Sequence, residues 1–364
     1  MLALTCTPHV GVIIGQRLVR ELGTATAVYE HRTELPDLIP GVRPSLVEAL
    51  DCPEAFRKAG DELSYIEKNH IRCISFTDEA YPARLRECED APLVLYSLGN
   101  AGFNATRVVS IVGTRKATEY GKDLTAAFVR DLATLCPGII IVSGLAYGID
   151  VAAHRAALAA GLPTIGVLAH GLDRIYPAAH RSTAAQMVRQ CGGLLTEYMS
   201  GTQPERQNFV QRNRIVAGMA DAVVVIESAA KGGALITAEM AMGYGRDCMA
   251  FPGRVADEYS RGCNNLIRSN GAALITNAED FMHAMNWPLA TDAAPAPTQR
   301  ELFVELDEDE RKIMKILRAA DDSVHINTLV IDTDIPYSRL STILFNLELK
   351  NLLRPLPGAL YRAL

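Results

Sequence analysis

The sequence predicts an α/β protein whose centre is a doubly wound parallel β-sheet, preceded by a small helical domain and followed by a winged-helix-like domain. Two observations carry this prediction. From residue 107 onward, short apolar runs without polar alternation are separated by helix-length segments, which is typical of parallel strands buried on both faces. A Pro- and Ala-rich stretch at residues 288–297 then precedes a last segment of amphipathic helices. The 364 residues suffice for two or three domains, at roughly 100–200 residues each.

The composition is that of a chain with a hydrophobic core. Hydrophobic residues make up 49%, charged residues make up 21%, and the formal net charge is -6. These values exclude a disordered chain and a broadly basic nucleic-acid coat. A local basic groove remains compatible with them, because the chain has 28 Arg and 8 Lys. The excess of Arg favours bidentate contacts to phosphate or carboxylate, or it reflects a GC-rich genome.

Targeting and cofactor signals are absent from the sequence. No apolar run reaches the ~18 residues of a transmembrane helix, and the first residues lack the basic segment and cleavage site of a signal peptide. The eight Cys are scattered without a CxxC pair, which argues against a disulfide scaffold and a zinc site. We therefore expect a cytoplasmic protein with no cofactor, no metal and no membrane partner.

The first 70 residues are predicted to be helical. Residues 8–12 and 39–42 share an apolar-Gly-apolar turn beside a short apolar-periodic helix. In a helix-hairpin-helix, such a turn presents backbone N–H groups to a phosphate. A helical packing domain that binds nothing would show the same pattern, so both interpretations stay open.

Seven apolar runs predict the strands of the sheet, and the segments between them predict its helices. The strands are expected at residues 107–112, 138–142, 164–168, 193–197, 222–226, 248–251 and 273–276. The helices are expected at residues 121–135, 149–160, 181–191, 212–219 and 234–244. Such sheets bind ligands at the carboxyl ends of their strands, so the loops after the strands are the expected place of a site.

Beyond the Pro/Ala stretch, three helices and a hairpin predict a winged-helix layout. The helices are expected at residues 307–317, at 325–330 and from Pro336 onward, and the hairpin at 352–364. Pro336 suits the first turn of a helix that would take the groove-reading position. Residues 303–364, however, carry ten acidic and eight basic residues, and the third helix offers only Arg339 and Lys350. A protein-docking or structural module is therefore favoured over a DNA reader.

The loop after the first strand suits a phosphate. It reads Gly113-Thr114-Arg115-Lys116, which is not a GxGxxG turn but offers backbone N–H groups, a helix N-terminus and two cations. The alternative is a tight turn with solvated basic side chains.

The loop after the second strand also carries paired glycines. It runs from Ser143 and Gly144 through Tyr147 to Asp150, and His154 follows one turn later. Glycine lets a backbone approach a ligand closely. We interpret Asp150 and His154 as structural, because no Ser or Cys nucleophile is spaced to use them. No acidic residue ends this strand to bind a ribose 2′-OH, which argues against NAD.

The segment QPERQNFVQRNR at residues 203–214 is the most informative. Its three arginines surround Phe209 and are interleaved with amides. Cations neutralise phosphates, an aromatic ring stacks on a base, and amides bond base edges or sugars. Arg212 and Asn213 are predicted to begin a helix and to add its positive end. The alternative is that Phe209 belongs to the core and that the arginines pair with acids.

Two later loops repeat the pattern of glycine beside a cation. Lys231-Gly232-Gly233 leads into a helix after the fifth strand, and Gly253-Arg254 follows the sixth. Four strand-end loops thus combine glycine with a cation or a hydroxyl. A single phosphate does not need four of them, whereas a polyphosphate chain such as a nucleic-acid backbone does.

With these motifs together, the chain resembles the DNA-processing protein A family, DprA or Smf. The resemblance is carried by SIVGTRKATEYG, IVSGLAYGIDVAAHRAAL, GVLAHGLDRIYPAAHR, NFVQRNRIVAGMADAVVVIES, GGALITAEMAMGYGRDCMAFPG and GCNNLIRSNGA. It implies an extended Rossmann fold that binds single-stranded DNA, without enzymatic activity. It further implies a role in natural transformation, in which the protein protects incoming strands, displaces single-strand-binding protein and loads the RecA recombinase.

The resemblance also implies site residues. The DNA contacts would be Gly113, Thr114, Arg115, Lys116, Ser143, Gly144, Tyr147, Arg206, Asn208, Phe209, Arg212, Asn213, Arg214, Gly232 and Gly233. Some members carry Lys where this chain has Tyr147, so either Tyr147 stacks on a base or Arg206 supplies the charge. Members usually dimerise through the late part of the core, which makes Asn264, Leu266 and Ile267 the candidate dimer contacts.

The expected domain division follows from the same resemblance. Residues 1–70 would form an N-terminal helix-hairpin-helix or SAM-like domain, and residues 71–287 the Rossmann-like DNA-binding core. Residues 288–302 would be a linker, and residues 303–364 the winged-helix-like domain.

Two enzymatic hypotheses are the alternatives. The core resembles, more distantly, nucleoside-monophosphate phosphoribohydrolases with a GG-x-GT-x-x-E motif. Here Gly232, Gly233, Thr237 and Glu239 match it only in part, since the Thr is displaced by one residue and the later Gly is lost. Glu239 could still act as a carboxylate base. A dinucleotide-dependent oxidoreductase is disfavoured, because the chain lacks both GxGxxG and an acidic ribose partner.

Overall fold

The structure is a computed structural model that divides into two compact units, Met1–Asp292 and Ala293–Leu364. It describes residues 1–288, 306–320, 323–350, 352–356 and 358–363. The predicted linker at residues 288–302 lies outside the described residues, apart from Pro288. Within the described ranges, no helix combines the length and the apolar character that crossing a membrane requires.

A nine-stranded sheet forms the centre of the first unit. Its strands are β1 (Arg72–Ser75), β2 (Val94–Gly99), β3 (Val108–Val112), β4 (Ile140–Ser143), β5 (Thr164–Val167), β6 (Gly193–Thr196), β7 (Ala222–Val225), β8 (Asp247–Ala250) and β9 (Ala273–Leu274). They lie in the order β1-β2-β6-β5-β4-β3-β7-β8-β9. The pairs from β3 to β9 are parallel, whereas β1 and β2 join the β6 edge antiparallel. The predicted α/β fold class is confirmed, and β1 and β2 are strands that the sequence analysis missed.

The helices of the first unit follow the predicted alternation with the strands. They are α1 (Leu2–Cys6), α2 (Val12–Leu22), α3 (Ala25–Glu30), α4 (Leu35–Leu38), α5 (Pro44–Leu50), α6 (Pro53–Lys68), α7 (Ala83–Arg86), α8 (Glu119–Leu135), α9 (Ile149–Ala159), α10 (Arg181–Arg189), α11 (Arg206–Gly218), α12 (Gly233–Gly243), α13 (Arg261–Arg268) and α14 (Ala278–Ala284). One boundary prediction is wrong, because α11 begins at Arg206. Arg212 and Asn213 therefore lie about two turns inside the helix and do not supply its positive end.

The sheet is covered on both faces. Ile111 and Ile141 belong to one apolar cluster, and Val112 and Val142 belong to the other. This is the expected result when successive residues of a strand point to opposite faces. It also explains why these strands are apolar throughout.

The N-terminal helices share a core with the edge of the sheet. Leu4, Leu18 and Leu35 belong to the same buried cluster as Leu93 and Tyr96, which flank and form β2. The predicted boundary between residues 70 and 71 falls inside this first unit, between α6 and β1.

A polar contact adds to this shared core. The carboxylate of Glu62, a buried residue on α6, accepts hydrogen bonds from the backbone N (3.0 Å) and the hydroxyl (2.5 Å) of Ser200, in the segment that leads to α11.

The second unit has the predicted winged-helix layout. Its elements are α15 (Glu308–Ala319), β10 (Val324–His325), α16 (Ile326–Thr333), α17 (Tyr337–Leu349), β11 (Leu353–Leu356) and β12 (Leu360–Ala363). The strands form an antiparallel sheet in the order β10-β12-β11. Pro336 is the N-cap of α17, close to its predicted place, and Ile313, Leu329 and Leu340 lie in the core of the unit.

Candidate nucleic-acid interface

A cleft of about 910 Å³ lies at the carboxyl ends of the central strands. Its walls come from the loops after β3, β4 and β7 and from α11 and α12. The chain leaves β3 toward β4 on one side, and β7 lies on the other side. The cleft is thus at the point where the winding of the sheet reverses, which is where open α/β sheets bind ligands.

The cleft brings together most of the DNA contacts that the sequence implies. The implied residues that line it are Gly113, Thr114, Arg115, Lys116, Gly144, Arg206, Phe209, Arg212, Asn213, Gly232 and Gly233. The implied residues outside its lining are Ser143, Tyr147, Asn208 and Arg214.

Four exposed cations line the cleft without a carboxylate partner. Arg115, Lys116, Arg206 and Lys231 are exposed, and none of them makes an ion pair within the described part of the chain. With Arg212 the lining holds five cations, against the three carboxyl groups of Asp150, Glu239 and Glu258, in a chain whose net charge is -6. Clustered, unpaired cations attract a polyanion and release its counterions on binding.

An aromatic ring lies among these cations. The guanidinium of Arg115 is 4.9 Å from the centroid of the Phe209 ring, a cation–π geometry. The Tyr176 ring lies 5.9 Å from the Phe209 ring, centroid to centroid, with 57° between the ring planes. Phe209 is half-buried and lines the cleft, so it is not simply a core residue.

Arg212 lies in the floor of the cleft. Its Nη1 donates a 2.7 Å hydrogen bond to the carbonyl of Val167, and its side chain is only 2% exposed. A Cβ at Gly144 would overlap its guanidinium, so a side chain there would have to displace the buried Arg212. Among the described residues, Nε has no hydrogen-bond partner. Arg212 is therefore part of the buried framework of the site as well as of its lining.

A buried carboxylate accompanies this buried cation. Burial lowers the pKa of Arg212 to about 10, and Asp150 opposes this shift. Burial likewise raises the pKa of Asp150, which the charge of Arg212 opposes. The guanidinium keeps its charge at neutral pH, and Asp150 has the structural surroundings that the sequence analysis favoured.

Arg214 faces away from the cleft. Its Nη1 donates to the carbonyl of Asp90 at 2.6 Å, and its Nη2 donates to the carboxylate of Glu197. Residues 212 and 214 are two positions apart, which places them on nearly opposite sides of a helix. Arg214 thus pairs with an acidic residue, as the alternative interpretation of this segment expected.

The other implied residues outside the lining make contacts of their own. The Ser143 hydroxyl donates to the carbonyl of Ile111 at 2.6 Å, and the Asn208 amide donates to the carbonyl of Gln203 at 3.1 Å. Tyr147 is 48% exposed and lies edge-on to His180, with 4.9 Å between ring centroids.

Glu227, two residues after the end of β7, holds the loop after β3 in place through hydrogen bonds. Its backbone carbonyl accepts from Thr114 N at 2.7 Å, and its side chain accepts from the backbone N (3.0 Å) and hydroxyl (2.5 Å) of Thr118. The Thr118 hydroxyl in turn caps α8. The sequence alone does not indicate this contact, because it joins residues more than 100 positions apart.

The sequence analysis also missed Tyr176, Glu258 and Tyr259 as lining residues. Tyr176 follows β5, so the rule that sites lie after parallel strands could have found it. Glu239, considered above as a carboxylate base, also lines the cleft from α12.

The candidate dimer contacts lie on α13. The side-chain amide of Asn264 bonds the backbone of Gly253 in both directions, at 3.0 and 3.1 Å. Leu266 and Ile267 are partly buried against the chain's own core.

Known proteins share this sequence and fold. The DNA recombination-mediator protein A family matches residues 72–286, and the DprA winged helix domain matches residues 291–359. The DNA processing protein DprA of Streptococcus pneumoniae is 40% identical over 208 residues, which cover 57% of this chain and 72% of that protein.

Two solved structures are similar as well. The X-ray structure of DNA processing protein A from Streptococcus pneumoniae has a TM-score of 0.58 at 32% identity, over 74% of this chain and 96% of that chain. DNA processing protein A from Helicobacter pylori, described for its single-stranded DNA binding mode, has a TM-score of 0.53 at 30% identity, over 59% of this chain and 95% of that chain. Together with the fold and the cleft, these matches show that the chain belongs to the DNA recombination-mediator protein A family, the DprA or Smf proteins.

Proposed function

We propose that this chain is a non-enzymatic, cytoplasmic protein that binds single-stranded DNA along the cleft, protects it, displaces single-strand-binding protein and loads RecA. The single observation that carries the proposal is that four cations without an ion pair among the described residues line the same cleft as Phe209, at the carboxyl ends of the parallel strands. Proteins that bind single strands without sequence preference usually place cations along the nucleic-acid backbone and an aromatic ring where a base can stack on it. The Helicobacter pylori relative, which is described for its single-stranded DNA binding mode, supports the proposal that the ligand is a single strand.

The proposal includes a homodimer formed through α13. Asn264, Leu266 and Ile267 are its contacts, and the exposed Arg261 and Arg268 on the same helix would lie at its rim. Sedimentation equilibrium of the wild type and of Ile267→Glu tests this part. A monomeric wild type contradicts it.

Fluorescence anisotropy of a labelled oligo-dT over a salt series tests the binding itself. Arg115→Ala is the informative variant, because Arg115 is exposed and unpaired in the cleft. Arg212→Ala is less suitable, since it would leave Asp150 buried without its compensating charge. The matched control is Arg189→Ala, an exposed arginine at the end of α10, which precedes the amino end of β6.

We expect tight, salt-sensitive binding to the single strand and weaker binding to the duplex of the same sequence. Arg115→Ala should lower the salt slope by about 0.7, the value for one phosphate contact on a single strand. Arg189→Ala should behave as the wild type. Wild-type affinity in Arg115→Ala contradicts the proposed path. Failure of the wild type to bind any nucleic acid would overturn the function and direct attention to AMP hydrolysis and Glu239.

RecA loading needs its own test. Filament assembly on DNA coated with single-strand-binding protein is followed with and without the wild type and Arg115→Ala. The proposal requires faster assembly with the wild type and a smaller gain with the variant. Equal assembly with and without the wild type would remove loading and leave only strand binding.

A further inference from the structure

The ring of Tyr176 lines the cleft and is 47% exposed. Exposing a large aromatic ring to water is unfavourable, and a ligand that covers the ring removes this exposure. An exposed ring in a cleft that also holds cations is therefore a candidate ligand contact. In the part of the chain that the structure describes, the Tyr176 hydroxyl has no hydrogen-bond partner. By contrast, the Tyr198 hydroxyl is bonded to the carbonyl of Asn208 at 3.3 Å. Among the described residues, Tyr176 thus has a solvent-exposed ring and a hydroxyl without a hydrogen-bond partner.

Arg115 and Tyr176 both lie next to the Phe209 ring. The guanidinium is 4.9 Å from the Phe209 centroid, and the Tyr176 centroid is 5.9 Å from it on a tilted ring. A base inserted flat between two parallel rings needs about 7 Å, twice the ~3.4 Å stacking distance. The two rings are closer than this and not parallel. A base therefore does not fit flat between the two rings, which favours contacts of the two rings with two different bases.

A buried histidine fixes the backbone of Tyr176. The backbone N of Tyr176 donates to Nε2 of His170 at 3.2 Å, and Nδ1 of His170 bonds the carbonyl of Gly171 at 2.9 Å. Only the neutral ring with its proton on Nδ1 makes both bonds. Burial lowers the pKa of His170, which keeps this form at neutral pH. The hydroxyl of Thr196 also donates to the His170 carbonyl, at 2.9 Å.

This rigidity matters for binding. A side chain whose backbone is already fixed loses less conformational entropy when a ligand orders it. Tyr147, the tyrosine that the sequence indicated, has different surroundings. It lies outside the lining of the cleft, and its ring already packs edge-on against His180.

We propose that Tyr176 is a second base-stacking subsite, which binds the nucleobase next to the one on Phe209. Its ligand is a nucleobase of single-stranded DNA, so the inference rests on the proposed function. It assigns the second aromatic contact to Tyr176 rather than to Tyr147.

The test compares two labelled strands with the same number of phosphates, one of oligo-dT and one abasic. Binding is measured by anisotropy for the wild type, Tyr176→Ala, Tyr176→Phe and Tyr147→Ala. Tyr120→Ala is the matched control, because Tyr120 is an exposed tyrosine outside the cleft lining. Thermal unfolding of each variant shows whether it is folded.

We expect Tyr176→Ala to bind oligo-dT about 5- to 150-fold more weakly, the range for one base–aromatic stack. Its affinity for the abasic strand should stay within twofold of the wild type. Its salt slope on oligo-dT should be unchanged, since no charge is removed. Tyr176→Phe, which keeps the ring, and Tyr147→Ala should bind both strands as the wild type does.

Three results overturn the subsite while leaving strand binding intact. They are equal loss by Tyr176→Ala on both strands, no loss on either, and loss by Tyr147→Ala in place of Tyr176→Ala. A wild type that binds neither strand instead removes the proposed function on which the subsite rests.

Discussion

The guanidinium of Arg212 occupies the space that a side chain at Gly144 would need. Gly144→Ala should displace the buried arginine and lower the free energy of unfolding by about 1–3 kcal/mol, as overpacked cores do. It should also weaken oligo-dT binding, because the cleft floor shifts. Urea unfolding measures the first effect and anisotropy measures the second. Gly60→Ala is the control, since it lies in α6 with nothing within 4 Å of an added Cβ. Equal stability of Gly144→Ala and the wild type would contradict the packing argument.

Arg212→Met should make stability more dependent on pH. Burial raises the pKa of Asp150 in the folded protein and Arg212 opposes that rise, so the variant raises it further. A carboxyl group with a raised folded pKa stabilises the fold below its unfolded pKa, and this contribution is lost as pH rises through the folded pKa. The free energy of unfolding of Arg212→Met should therefore lie further below that of the wild type at pH 8 than at pH 5. At pH 8 we expect about 3 kcal/mol, the cost of an uncompensated buried charge.

A double variant checks the cause of that effect. Adding Asp150→Asn to Arg212→Met removes the titrating group, so the difference between pH 5 and pH 8 should disappear in urea unfolding. Persistence of the difference would mean that another group causes it.

His154 should make the protein sensitive to mild acid. It is buried, and desolvation lowers its pKa to about 3. Its Nδ1 bonds the Thr164 hydroxyl at 2.7 Å, and that hydroxyl donates to the carbonyl of Ile141. The Thr164 oxygen thus accepts the Nδ1 proton, which leaves Nε2 unprotonated.

A group with a lowered folded pKa destabilises the fold as pH falls below its unfolded value. Between pH 6.5 and pH 5 the free energy of unfolding should fall by about 2 kcal/mol from His154 alone. His154→Gln can still donate to Thr164 but does not titrate, so it should lose this part of the acid dependence. Parallel stability curves for the two proteins from pH 7 to pH 5 would rule out His154 as the source.

Arg214→Ala should reduce stability without changing the salt slope of DNA binding. Arg214 is bonded to Glu197 and Asp90 and lies outside the cleft lining. Burial raises the pKa of Glu197 and Arg214 opposes it, so the variant leaves a buried carboxylate unpaired, at a cost of about 3–5 kcal/mol. Unfolding and anisotropy are measured at a temperature where the variant is folded. A lower salt slope would assign Arg214 to the strand after all.

Arg339→Ala should leave duplex binding by the full chain within twofold of the wild type. The two cations that the sequence offers at α17 are already paired, Arg339 with Asp309 at 2.5 Å and Lys350 with Glu310 at 2.7 Å. The same helix also exposes the aromatic rings of Tyr337 and Phe345, which carry no positive charge. Anisotropy with a labelled duplex measures the effect. A clear loss of duplex affinity would restore the groove-reading interpretation of the winged helix.

The sequence predicted the sheet well, because its central strands are buried on both faces and read as continuous apolar runs. The same rule failed at the edge, where β1 is short and only partly buried. The periodicity rule also failed for α11, because its first two turns are rich in Arg, Gln and Asn and do not show an apolar pattern that begins at Arg206.

The sequence predicted many residues of the cleft lining but not the directions of their side chains. Strand-end loops identified Gly113 to Lys116 and Gly232, because their position follows from topology. The different directions of Arg212 and Arg214 depend on helix phase and on Glu197, a partner from another strand. The anchoring of Tyr176 depends on His170, and the tautomer of a buried histidine leaves no pattern in a sequence.

The core shared by the N-terminal helices and β2 has a practical consequence for dissecting the protein. A fragment that starts near residue 71 would expose the apolar side chains of Leu93, Val94 and Tyr96 to solvent. It would also leave Ser200 without Glu62 just before the helix that carries Phe209. A truncation at this boundary should therefore destabilise the remaining core and favour aggregation. A loss of DNA affinity in such a fragment would not show whether the N-terminal helices contact DNA. Point substitutions on the outer surface of those helices answer that question cleanly.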